Sequence, residues 1–133
     1  MKVIIDTNLW ISFLLHGEVS KQLIDILSRD DIVIVTSQLS FDELVTVASR
    51  KKLAKRISNK QISLLLGFIL KESLFYPLSD IPQRRRDPKD DFLLELAVTS
   101  CADYLLTGDS DLLSIKKIGT CQITTVSSLY SQL

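Results

Sequence analysis

Histidine and cysteine are scarce in this chain of 133 residues: His16 is the one histidine, and Cys101 and Cys121 lie far apart with no C-x-x-C spacing. A zinc site takes about four ligands, mostly from these residue types. Zinc chemistry and Cys- or His-based nucleophilic catalysis are therefore disfavoured. Both cysteines read as small, reduced core residues. His16, in "LLHGE" before Gly17, reads as a surface residue at a helix end. Long hydrophobic runs are missing as well. "LLLGFIL" at 64–70 is far too short to span a bilayer, which takes about 20 residues. The N-terminus, one lysine and then three apolar residues, does not read as a signal peptide. The expected setting is the cytoplasm, without membrane association. No internal repeat or low-complexity linker interrupts the chain, and its length suits a single domain over residues 1–133 with a proper core.

Net charge is zero, which argues weakly against a protein that coats nucleic acid. The distribution says more. From Leu44 to Lys71 no acid occurs, yet the span holds Arg50, Lys51, Lys52, Lys55, Arg56, Lys60 and Lys71. A second cluster, Arg84, Arg85 and Arg86, precedes Asp87, Lys89, Asp90 and Asp91. Such segregation fits a solvated helix face or a surface for an anionic partner.

Periodicity gives alternating elements. Strands are expected at 2–5, 31–37, 74–78, 103–106 and 121–126. Helices are expected at 8–15, 19–29, 38–53, from the S-x-x-Q capping box at Ser58–Gln61 to about Ser73, from Pro88 to Ser100, over "SDLLSI", and from Ser127 onward. Residues 79–88, with three arginines and two prolines, read as a loop. This alternation predicts a three-layer α/β/α sandwich around a mostly parallel sheet. Right-handed crossovers then bring the strand C-terminal ends to one edge, where ligands bind in such folds.

Asp6 follows the first strand directly, and Asp109 follows "YLLT" by one glycine, so both fall on that edge. Each also fits a helix N-cap. On a helical wheel starting at Leu39, the apolar residues Leu39, Val47, Leu44, Ala48, Phe41 and Val45 cover an arc of about 240°, with Glu43 near 40° and Asp42 near 300°. Glu43 is thus expected to turn inward and Asp42 outward; an inward carboxylate is costly unless it is paired or holds a metal. In "DPKDDFLLELA", either Asp90 or Asp91 can point inward from the helix start, and both also suit the helix dipole. Acids from remote parts of the chain, with oxygen-bearing neighbours Asn8, Thr107 and Ser37, suit a hard divalent ion such as Mg²⁺ or Mn²⁺. Such an ion lowers the pKa of water and stabilises charge on a phosphoryl oxygen.

The segments "IIDTNLWIS", "TSQLSFDELVTV", "DPKDDFLLELAVTSCADYLLTGDSDLL" and "TTVSSL" together resemble the PIN-domain nucleases, and most nearly the VapC-type toxins of prokaryotic toxin–antitoxin systems. The resemblance implies a Mg²⁺- or Mn²⁺-dependent ribonuclease, with Asp6, Glu43, Asp91 and Asp109 as the acidic metal site. It implies support by hydrogen bonding from Asn8 and Thr107, with Asp111 assisting or serving as an alternative ligand. It favours Asp91 over Asp90, from the aliphatic pair Leu93–Leu94 two residues on. It also implies a homodimer and a small antitoxin partner. Arg50, Lys51, Lys52 and Arg84–Arg86 are candidate RNA-backbone contacts. Rival expectations are a receiver-like signalling domain, disfavoured by the lack of a strand-end lysine; a silent scaffold or RNA-binding module on the same fold; a phosphohydrolase for small esters; and a housekeeping RNA-processing nuclease.

Overall fold

The computed structural model describes residues 1–15, 17, 19–78 and 88–133, with the side chains of 88–91 left aside. Its strands are β1 (Lys2–Ile5), β2 (Val33–Thr36), β3 (Leu74–Phe75), β4 (Tyr104–Leu106), β5 (Lys117–Ile118) and β6 (Cys121–Thr124). Its helices are α1 (Thr7–Leu14), α2 (Ser20–Leu27), α3 (Gln38–Ala48), α4 (Lys51–Ala54), α5 (Asn59–Glu72), α6 (Pro88–Ser100), α7 (Ser110–Ile115) and α8 (Val126–Gln132). The strands form one sheet in the order β3-β2-β1-β4-β6-β5. All pairings are parallel except β5 with β6.

Side-chain alternation along β1 divides the core. Val3 and Ile5 face one layer with Trp10, Leu23, Leu44, Leu65 and Leu129, drawn from α1, α2, α3, α5 and α8. Ile4 faces the other with Leu93, Leu96, Ala97 and Leu112, from α6 and α7. A period of two in the strand thus serves two helical layers at once. The result is the expected α/β/α sandwich.

The order of the strands fixes where a ligand can sit. From β1 the chain steps outward to β2 and β3, then crosses back to β4 on the other side of β1. The direction of winding reverses between β1 and β4, and folds of this kind bind ligands beyond the C-terminal ends of such strands. Asp6 leaves β1 at that edge, and its N–H donates to the Leu106 carbonyl at 3.0 Å.

Several expectations need correction. The helix expected over 38–53 breaks after Ala48, and α4 starts again from Arg50. The strand expected at 74–78 is two residues long, ending before Pro77, whose ring cannot donate to a ladder. The hairpin strand β5 is an addition; Gly119, at φ +58°, makes the tight turn into β6. The loop expected at 79–88 and His16 fall outside the described residues, apart from Pro88, which is helical.

The two cysteines differ, against the expectation that both are core. Cys121 is buried and Cys101 exposed. Cys101 occupies the left-handed position after α6, at φ +54°. Its N–H donates to the Val98 carbonyl and that of Ala102 to Ala97, a Schellman ending of the kind usually built on glycine. Burial pushes the Cys121 thiol up to about 11. Because the folded value lies above the unfolded one of about 8.5, the neutral thiol's contribution to stability is complete below that pH and is lost as pH rises toward 11. At pH 8, iodoacetamide should therefore modify Cys101 and spare Cys121 in the native protein, with both reacting in urea. Mass spectrometry after proteolysis reads this directly; equal labelling of both thiols in the native state would contradict the burial.

Candidate active site

The end of β1 and the end of β4 are tied by side chains as well as backbone. Thr107, fully buried, donates its hydroxyl to Asp6 Oδ2 at 2.8 Å. The same hydroxyl oxygen accepts the Asp109 N–H at 3.0 Å. Thr107 is thus a bridge: one lone pair fixes the turn that carries Asp109, and the proton fixes the Asp6 carboxylate. Gly108, between them, is exposed.

Both acids also cap helices. Asp6 Oδ1 accepts the Asn8 N–H at the start of α1, at a long 3.4 Å. Asp109 Oδ2 accepts the Leu112 N–H at the start of α7, at 2.9 Å. Capping and ligation do not compete here. An ionised carboxylate offers about four acceptor sites; Asp6 uses two of them and Asp109 one. Asp6 is 1% exposed, and among the described residues no lysine or arginine pairs with it. A buried carboxylate without a cation is held only by hydrogen bonds and the α1 dipole. The remaining oxygens fit a small hard ion such as Mg²⁺ or Mn²⁺.

The other candidates take up various places. Ser37 is buried at the end of β2, the neighbour of β1; it caps α3 by accepting the Ser40 N–H at 3.2 Å and donates to Ser40 Oγ. Asn8 is exposed in the first turn of α1. Asp111 is exposed in the first turn of α7, where a negative charge complements the dipole. Glu43 is half-buried on the second turn of α3, which packs against α1. The wheel placed it too deep. The buried centre of α3 is Leu44 and Ala48, while Leu39 and Val45 are 36% and 37% exposed, so the apolar arc is narrower than their hydrophobicity implied and Glu43 flanks it. Asp42 is exposed and accepts from Gln38 Nε2 at 2.8 Å.

Asp90 and Asp91 lie in the first turn of α6; their side chains, and Arg84, Arg85 and Arg86, fall outside the described residues. Among the described residues no three His, Cys, Asp or Glu side chains gather into a metal cluster. Within that set the structure ties Asp6 to Asp109 through Thr107 and does not gather Glu43 with them into a group of three. An apolar groove between α1, α2 and α5, lined by Trp10, Leu14, Ile24, Leu64 and Phe68, contains none of the acids. Asp6 and Asp109 lie at the sheet edge instead. Sequence reasoning named Thr107 as a support but missed that it also holds the Asp109 amide; a threonine two residues before a turn aspartate is the one local signal for it.

Residues 2–111 match the PIN domain family. The chain belongs to that family. The matched span contains Asp6, Glu43, Asp91 and Asp109. PIN domains are generally metal-dependent nucleases, and the nuclease fold is the one this chain adopts. Among solved structures, the PIN domain endonuclease Utp24 is similar over 93% of this chain and 84% of that one, with a TM-score of 0.53 and 20% identity, a likeness of fold. Comparison with curated proteins gives no match. No helix among the described residues of this PIN domain is long and apolar enough to cross a membrane.

Thr107→Val removes the bridge while keeping the shape. It should cost about 1–3 kcal/mol in urea unfolding, because a buried carboxylate oxygen and an amide lose their partner. The Asp109 amide should lose its hydrogen-exchange protection in Thr107→Val and keep it in Thr107→Ser. Undiminished protection in the valine variant would refute the bridge.

Proposed function

We propose that this PIN domain is a Mg²⁺- or Mn²⁺-dependent endoribonuclease. The observation that carries the proposal is the buried Asp6 carboxylate, joined to Asp109 through Thr107 at the edge where the sheet's winding reverses. Asp6, Asp109, Glu43 and Asp91 would hold the ion, with Asp90 the alternative to Asp91. When bound, the ion supplies Lewis acidity that favours ionisation of water and offsets charge on a phosphoryl oxygen. The chain's own part is positional. Thr107 holds the Asp6 carboxylate in one rotamer, the α1 and α7 caps fix the planes of Asp6 and Asp109, and exposed Asn8 and Asp111 stand in the first turns of those helices.

The finer reading is the toxin of a toxin–antitoxin pair, acting in the cytoplasm as a homodimer and covered by a small antitoxin. It rests on the sequence segments that resemble VapC-type toxins. The alternative, a housekeeping RNA-processing nuclease, is supported by the fold shared with the PIN domain endonuclease Utp24. One experiment addresses both. Purified protein should cut single-stranded RNA only with Mg²⁺ or Mn²⁺ present, and Asp6→Asn should lower the rate by more than about 100-fold with unfolding still cooperative. Expression should arrest the growth of a bacterial host for the wild type and not for Asp6→Asn. Full activity of Asp6→Asn rejects the site; cleavage without growth arrest rejects the toxin reading.

A further inference from the structure

The acid-free part of the chain makes a surface that the candidate active site does not use. Arg50, Lys51, Lys52, Lys55 and Arg56 are all exposed, and among the described residues none pairs with a carboxylate. The turn that displays them is built, not frayed. Leu53 packs against the core, Ile57 is 2% exposed within it, and the N–H groups of Arg56 and Ile57 both donate to the Leu53 carbonyl at 2.9 Å. Two apolar anchors four residues apart thus pin a tight turn and leave five cations outward. Lys51 and Lys52 on α4 and Lys55 and Arg56 in the turn after it put like charges close together in sequence with no acid between them. Within the described chain nothing offsets their repulsion, so an external polyanion would.

The position of the turn matters more than its charge. α3 starts at Ser37, beside the end of β1, and runs eleven residues away from it. At about 1.5 Å per residue the basic turn lies about 16 Å along the helix from its start at the sheet edge, and about 10 Å beyond Glu43. Phosphates of a single strand lie at least as far apart as the duplex spacing of about 3.4 Å per strand, so the longer distance is at most about five nucleotides. The cations lie past the acids on this helix and are placed to hold a phosphate further along the strand.

We infer that Arg50, Lys51, Lys52, Lys55 and Arg56 form a phosphate-backbone platform for single-stranded RNA, separate from Asp6 and Asp109, which makes the protein select strands that extend several nucleotides beyond the cleaved bond. The inference rests on the nuclease reading for its meaning but is testable without turnover. Fluorescence anisotropy with labelled 4- and 20-nucleotide RNAs, in an Asp6→Asn background, measures affinity against salt. The longer RNA should bind at least tenfold more tightly. Replacing all five cations with glutamine should remove that preference and lower the magnitude of the salt slope by about 3.5, at about 0.7 per cation on a single strand. Lys116→Gln with Lys117→Gln, two exposed cations elsewhere, should leave the slope unchanged. An unchanged slope in the five-fold variant overturns the platform, and so does an equal loss per charge in the Lys116/Lys117 control. Length-dependent binding that the five-fold variant loses, in a protein whose wild type never cuts RNA, upholds the platform and refutes the nuclease reading.

Discussion

One hydroxyl sets the geometry on which the rest depends. Thr107 donates its hydroxyl to Asp6 and accepts the Asp109 N–H, so two acids far apart in sequence are held relative to each other by a single fully buried hydroxyl. In water such a contact is worth little. Buried, it is the difference between a fixed carboxylate and an unpaired one, because the alternative partner, solvent, is excluded. The backbone bond from Asp6 to Leu106 sets the spacing of the two strands, and the hydroxyl then selects a side-chain rotamer. Without it the strands would still pair, but the acids would not share an orientation.

The fold explains why this hydroxyl can stand where it does. β1 is central, flanked by β2 and β4, and alternating side chains commit it to both helical layers, so its end is fixed from two sides. The capping roles of Asp6 and Asp109 serve the same end. A capping carboxylate gives up one oxygen to the helix and loses its rotational freedom, which is what a metal ligand needs. Structural and functional readings of these acids are therefore one arrangement seen from two sides, and removing either acid tests both at once.

Much of this was legible in the sequence. Period-two and period-3.6 patterns gave the layers, and Asp6 after "VII" and Asp109 after "YLLTG" fell on the correct edge because strand polarity decides it. What failed did so for physical reasons. The wheel for α3 counted Leu39 and Val45 as core, yet burial depends on what lies opposite, and the described residues cover them only in part. The break after Ala48 left no strong breaker in the sequence; its signal is the apolar pair Leu53–Ile57, which pulls the chain inward in a new direction. Both cysteines read as core from composition, but Cys101 stands where α6 must end, a position set by the helix rather than by hydrophobicity. The link from Thr107 to the Asp109 amide is tertiary and local at once, and no period reports it.

The claim that Asp6 and Asp109 serve one divalent ion is tested most directly by a crystal structure with Mn²⁺, collected for its anomalous signal. The account predicts a peak at the C-terminal edge between β1 and β4, about 2.0–2.3 Å from an oxygen of each carboxylate, with the Thr107 hydroxyl still on Asp6. Anomalous density that reaches only one of the two aspartates, or none at this edge at saturating Mn²⁺, would contradict it.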